Sequence, residues 1–280
     1  MATTTLLDGL CFGEGPRWHE GRLWLSDMHA HQVLAVSEDG QVETIVEVPN
    51  WPSGLGWLPN GDLLVVSMTD RRVLRYDGKN LTTHADLSGL ASYHCNDMVV
   101  ATTGQAYVGN FGFDLQAKAE FKTAQLICVE PDGSARIVAQ DMSFPNGSVI
   151  TPDGKTLIVG ETFGSRLTAF DILSDGSLDN RRIWADLPEG AVPDGICLDA
   201  ENGIWSASPS SNECIRQVAG GQVTHRIAVS QGAFACMLGG ERGDTLFILT
   251  SGSSDSEECS RLRSGRVETV LAPHPHAGLP

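Results

Sequence analysis

Short apolar runs separated by polar turns fill the chain from one end to the other. Leu63, Leu64, Val65 and Val66 follow a Pro59-Asn60-Gly61 turn; Leu157, Ile158 and Val159 follow Pro152-Asp153-Gly154; Leu246, Phe247, Ile248 and Leu249 follow Gly243-Asp244. Runs this short, bounded by Gly, Pro, Asn and Asp, predict buried strands joined by tight hairpin turns. Each is preceded by another run, such as Ser148-Val149-Ile150, and followed by a third, such as Leu167-Thr168-Ala169-Phe170. No stretch holds a helical period long enough to suggest a second domain, and no linker breaks the pattern. Residues 1–280 are therefore expected to form one all-β domain.

The pattern repeats. Corresponding positions run from Glu14 through Gly54, Asp97, Gly147 and Gly195 to Ala235, spaced by about 40 to 50 residues. That period, with about four short strands per unit, is the arithmetic of a propeller blade, and six units predict a six-bladed β-propeller. The ring must close, since an open end would leave unpaired strand edges. Either residues 3–7 or the C-terminal run 265–271 would complete a blade begun at the other terminus. Residues 251–258, polar and acidic, are expected to form a solvated loop of the last blade.

Composition narrows the function. Acidic residues outnumber basic ones 35 to 19, and a surface of net charge −16 repels a phosphate backbone, so no nucleic-acid partner is expected. The seven cysteines are scattered and never form Cys-x-x-Cys. Several, such as Cys128 in Leu126-Ile127-Cys128-Val129, sit in strand contexts where Cys serves as a small core residue. The first residues carry neither a basic region nor a long apolar run, and a cytoplasmic location with no membrane association is expected. The sequence holds no Gly-x-Ser-x-Gly elbow and no phosphate-cradling glycine motif, which argues against a serine-hydrolase triad and against nucleotide cofactors. His29-Ala30-His31 and His274-Pro275-His276 would alternate in direction or lie near a terminus, and are expected in surface or packing roles.

Four repeats carry an oxygen-bearing side chain at the same point, just ahead of the predicted innermost strand: Glu14, Asn96, Asn146 and Asp194. The innermost strand of a blade starts at the central channel, so the four are expected to converge from separate blades near the axis. Two carboxylates and two amide oxygens suit one hard divalent cation with coordination places left for water or substrate. Calcium, magnesium and manganese (Ca, Mg, Mn) fit by ligand hardness, and zinc (Zn) stays in the set. Taken singly, each residue reads as turn chemistry, because Asn-Gly and Asp-Gly are common turn dipeptides. The shared position is what points to a metal.

At these residues the chain resembles the SMP-30/gluconolactonase/luciferin-regenerating-enzyme family of six-bladed propellers. The resemblance rests on Gly13-Glu14-Gly15-Pro16, Asn96-Asp97, Phe144-Pro145-Asn146-Gly147, Pro193-Asp194-Gly195 and the Ala277-Gly278-Leu279-Pro280 tail, and it covers almost the whole chain. It implies that Glu14, Asn146 and Asp194 are metal ligands. It implies too that Asn96 contacts the metal directly or through water and faces the substrate, and that Asp194 doubles as general base. The family includes sugar-lactone hydrolases and organophosphate hydrolases, which share the metal centre and differ in the pocket.

Sugar lactonases of the family resemble Arg-x-Asn-Asp ahead of the third innermost strand, with the Arg reaching substrate oxygens. Here the segment is His94-Cys95-Asn96-Asp97. An imidazole holds a polyhydroxylated or anionic substrate less firmly than a bidentate guanidinium does. Trp51, Phe111, Phe113, Phe144, Phe163 and Phe234 are expected along the same rim, which favours a less polar substrate, although several would also pack between blades. The expected activity is metal-dependent opening of a small-molecule lactone or related ester. Asp194 or His94 would accept a proton from water, and His94, Asn96, Phe111 and Phe144 would hold the substrate. The alternatives are an organophosphate hydrolase, a lyase or hydratase on the same scaffold, and a calcium-binding propeller without turnover.

Overall fold

The computed structural model describes residues 2–280. Six four-stranded antiparallel sheets stand in a ring as a six-bladed β-propeller, five of them with their strands in consecutive order. The innermost strands are Gly13–His19, Pro52–Trp57, Cys95–Val100, Pro145–Ile150, Ile196–Leu198 and Gly232–Gly239. We number the blades one to six in that order.

Both termini close the ring. The N-terminal strand Thr4–Leu10 is the outermost strand of blade six, paired with Gly265–Leu271 in register Thr4↔Thr269 to Leu10↔Gly265. Gly265–Leu271 pairs in turn with Thr245–Ser251. The two candidate closing runs thus lie side by side in one sheet. Leu6 and Leu7 pack on the core cluster shared by blades one, five and six.

Burial follows distance from the axis. Leu63–Ser67, second in its blade, is buried throughout, whereas the fourth strand of blade one, Val42–Glu47, has no fully buried residue. The apolar side chains gather in five clusters wedged between neighbouring blades, because twisted sheets around an axis touch face to face. All seven cysteines are buried, and six of them, all but Cys11, belong to these clusters.

Near the axis the strands come closer than side chains allow. A Cβ on Gly147 would stand 2.4 Å from the Ile196 backbone nitrogen, and one on Gly195 would stand 2.7 Å from Ala235 Cα. Neither glycine has a positive φ, so each is required for close approach and not for a turn. Arg17 occupies the channel itself. Its side chain is 5% exposed and donates to Asp97 Oδ1 (2.7 Å), Leu55 O (2.9 Å) and Pro16 O (2.7 Å). At the hairpin end of the channel, the C-terminal tail lies along blades four and five, with Leu279 exchanging both backbone hydrogen bonds with Ile150.

One expectation needs correction. Residues 251–258 are not all solvated loop, because Ser256–Leu262 is an α-helix. Asp255 caps it by accepting from the Glu258 N–H (2.9 Å), Glu257 and Glu258 occupy its first turn, and Cys259 is fully buried beneath it. The capping pattern Asp255-x-x-Glu258 and the acidic first turn are the physical reasons the segment coils.

Two measurements test this architecture. Replacing Gly147 by Ala should cost about 3 kcal/mol or more in urea denaturation, as overpacking against a backbone that has no flexible side chain to yield. Deleting residues 2–10 exposes the edge of Gly265–Leu271 and should lower the melting temperature by more than about 5 °C and promote aggregation. An unchanged midpoint in either variant contradicts the close-packed, closed ring.

Candidate active site

A cavity of about 430 Å³ opens at the end of the ring where the innermost strands begin. Glu14, Asn96, Asn146 and Asp194 all line it, one from each of blades one, three, four and five, and they are only 6–8% exposed. Local backbone geometry places them there. The ladders between first and second strands shift register between Glu14 and Arg17, between Cys95 and Met98, and between Pro145 and Ser148. A bulge frees a residue from pairing and re-aims its side chain, and these three fall at the site residues. Asp194 stands just ahead of Ile196–Leu198 and pairs by backbone with Ala207 (2.9 Å).

The loops leading into these strands are pinned by polar groups at the ends of the second strands. Asp27 accepts from the N–H groups of Cys11 (3.2 Å) and Phe12 (2.8 Å), ahead of Glu14. Glu161 accepts from Ser143 N–H (2.6 Å), ahead of Asn146, and Ser208 Oγ accepts from Val192 N–H (3.2 Å), ahead of Asp194. Asn146 is oriented further: its amide nitrogen donates to Thr162 Oγ1 (3.2 Å), and that hydroxyl donates to Pro193 O (2.8 Å).

The four oxygen donors have little protein to bond to. Among the described residues no side-chain hydrogen bond engages Asn96, and no donor reaches the amide oxygen of Asn146. Glu14 accepts only a long bond from the Gly15 N–H (3.3 Å). Among the described residues no arginine or lysine forms an ion pair with Glu14 or Asp194, since Arg17 is committed to Asp97. Burial pushes the Glu14 carboxyl well up, and the charges of Asp194 and Asp97 add to this; burial and Asp97 likewise push Asp194 up, against the Asn146 amide. Two buried carboxylates without a counter-charge, flanked by idle amide oxygens, fit a hard divalent cation by the chemistry of the set.

The walls are mostly apolar, with Gln116, Lys118 and Thr162 also in the lining. Phe12, Trp51, Phe111, Phe144, Phe163 and Phe234 line the cavity, whereas Phe113 packs behind it, 6.3 Å from Phe144. Trp51 and Phe144 each hold a positive φ, 61° and 62°, immediately before a proline. That conformation is strained for a bulky residue and aims both rings at the mouth. His94 is not among the lining residues. Its ring stacks on Tyr93 at 4.2 Å and lies 6.2–6.3 Å from Phe111 and Trp51, and burial lowers its pKa.

His29 was missed as a site residue. It lies in the 3-10 turn Met28–Ala30, lines the cavity, and packs 5.4 Å from Phe12 and 4.8 Å from Trp51. Its Nδ1 is buried without a partner among the described residues, and burial lowers its pKa. His29 thus packs as expected, but it does so in the cavity wall, a place strand alternation did not suggest because the residue lies in a 3-10 turn. His31 instead meets Pro49 O (2.7 Å), and His276 meets Pro280 O (2.7 Å), both away from the cavity. Ser254 and Asp255, ahead of the short helix, also wall the mouth.

Comparison with known proteins agrees with the geometry. The family description SMP-30/Gluconolactonase/LRE-like region matches residues 12–252. Regucalcin of Gallus gallus is 26% identical over 285 residues, covering 95% of each chain. Pentonolactonase XacC of Haloferax volcanii is 25% identical over 90% of this chain and 86% of its own. A gluconolactonase structure from Xanthomonas campestris superposes with a TM-score of 0.78 at 27% identity, over 96% of this chain and 89% of that one. Ring, bulged inner strands and oxygen donors at their heads thus accompany a family match over most of the sequence, and the chain belongs to the SMP-30/gluconolactonase/LRE-like family.

Proposed function

We propose that residues 1–280 act as one hydrolase domain, a lactonase that opens the ring ester of a small-molecule lactone with the help of one divalent cation. The observation that carries this is the set of four buried oxygen donors, from four blades, with neither carboxylate in an ion pair among the described residues. Similarity to a pentonolactonase and a gluconolactonase supports the ester substrate, and similarity to regucalcin supports a cation such as calcium. The acidic surface and the absence, among the described residues, of any helix long and apolar enough to cross a membrane accord with a cytoplasmic enzyme acting on a small molecule.

Glu14, Asn96, Asn146 and Asp194 would hold the cation. When bound, such a cation supplies Lewis acidity, drawing charge from an ester carbonyl and making a neighbouring water more acidic. Asp194 would take the proton from the attacking water on its carboxylate. Asn96 turns its amide toward the substrate carbonyl. Phe12, Trp51 and Phe234 exclude bulk water from around these groups, which strengthens every charge interaction among them.

Asp194→Asn should reduce kcat on a lactone by about 10³-fold, within the range usual for a general base, while the circular-dichroism melt keeps its shape. Chelation should abolish turnover and added calcium or manganese should restore it. Full hydrolytic rate in the variant would contradict the assignment, and a phosphotriester included in the panel tests the organophosphate reading of the same donors.

Stability should report the carboxylates separately. In cation-free protein the folded state binds more protons than the unfolded chain, because the folded pKa of Asp194, about 8, and that of Glu14 lie above their unfolded values. Stability is therefore greatest below about pH 4 as far as these two groups go, falls as pH rises toward 8, and is recovered there by the cation. Melts of chelated protein across that range, against an Asp194→Asn control with a weaker slope, check this; equal slopes would contradict it.

A further inference from the structure

Five phenylalanine rings form an unbroken path from the wall of the cavity to the outside of the protein. Phe111 and Phe144 lie 4.5 Å apart, and Phe144 is 5.2 Å from Phe163. Phe163 is in turn 5.6 Å from Phe113, which packs behind it, and 5.8 Å from Phe121, which reaches the surface. Phe144 and Phe113 are buried, at 5% and 7% exposed, whereas Phe163 and Phe121 are exposed, at 52% and 45%. The rings come from three separate segments: the loop after Ala106–Asn110, the strained residue before Pro145, and the turn Thr162–Gly164.

Packing between blades accounts for the buried rings but not for two large aromatic side chains held in water at the mouth of a cavity. An exposed apolar patch continuous with a binding cavity marks where a ligand extends. Among the described residues no arginine lines the cavity; Gln116 and Lys118 are in its lining, but the face made by Phe111, Phe144 and Phe163 presents carbon where a sugar would need hydrogen-bond partners along its length. We propose that the site takes lactones carrying an apolar alkyl or aryl arm. The ester ring sits over Glu14, Asn96, Asn146 and Asp194, and the arm lies along Phe111, Phe144 and Phe163. The reactive ring rests on the lactonase reading above; the arm rests on the aromatic path alone.

The experiment separates the two. γ-Lactams bearing ethyl, butyl, hexyl and octyl arms cannot be hydrolysed as esters, and their binding to the calcium-loaded full chain is measured by titration calorimetry. Kd should fall roughly threefold for each methylene laid on the rings. Phe163→Ala should flatten the hexyl-to-octyl step, and Phe163→Leu should keep it. Affinity independent of arm length overturns the proposal, as does tighter binding of gluconolactam than of the octyl compound. Self-association abolished by Phe163→Ala, with lactam binding unchanged, also overturns it, in favour of a protein partner. The matching alkyl lactones are assayed in parallel. Arm-dependent lactam binding without lactone turnover sinks the lactonase and keeps the arm, whereas turnover with flat binding does the reverse.

Discussion

Everything at the mouth of this propeller depends on how closely six innermost strands approach one another around the axis. At the contact between blades four and five, Gly147 leaves no room for a Cβ beside the Ile196 nitrogen, and between blades five and six Gly195 leaves none beside Ala235. Blades two and three meet in the same way, where a Cβ on Gly54 would fall 2.3 Å from the Met98 nitrogen. Spacing set by backbone contact and not by side-chain volume has little slack. Residues one position away from such a contact are therefore located by the ring itself, and Asn146 and Asp194 are such residues.

The ring supplies position, but it also makes the site costly. Glu14 and Asp194 line one cavity while each is only 8% exposed, and among the described residues no basic side chain forms an ion pair with either. Folding tolerates this because the backbone around each is held independently. Asp27, Glu161 and Ser208 tie down the loops ahead of the site, and Arg17 absorbs the charge of Asp97 just below it. Destabilised polar groups held in fixed geometry by their surroundings are what a functional site requires. The same trade recurs in the walls, where Trp51 and Phe144 keep strained backbone angles to present their rings.

Much of the fold was legible in the sequence, because strands that pack on both faces read as apolar runs and their turns carry Gly, Asn and Asp. The repeat position of Glu14, Asn96, Asn146 and Asp194 was legible for the same reason, since equal places in successive blades face the axis. The glycines of Asn146-Gly147 and Asp194-Gly195 read as turn residues, whereas their role is contact between blades that are about 50 residues apart in sequence. Outer strands such as Val42–Glu47 have no core face and left no alternation to read. His29 was hidden because a dipeptide-spaced His pair suggests a strand, while the chain there makes a 3-10 turn into the cavity. The helix Ser256–Leu262 carried a readable cap at Asp255, but its few residues offered only one buried position, Cys259, to show an apolar face.

The central claim is that one hard cation belongs between oxygen-bearing side chains that have few protein partners. Anomalous diffraction from crystals soaked in manganese measures this directly. One peak should stand within about 2.1–2.6 Å of oxygens from Glu14, Asn146 and Asp194, with Asn96 in contact directly or through a water. A cavity without a peak at saturating manganese, or a peak held only by surface carboxylates elsewhere on the ring, would contradict it.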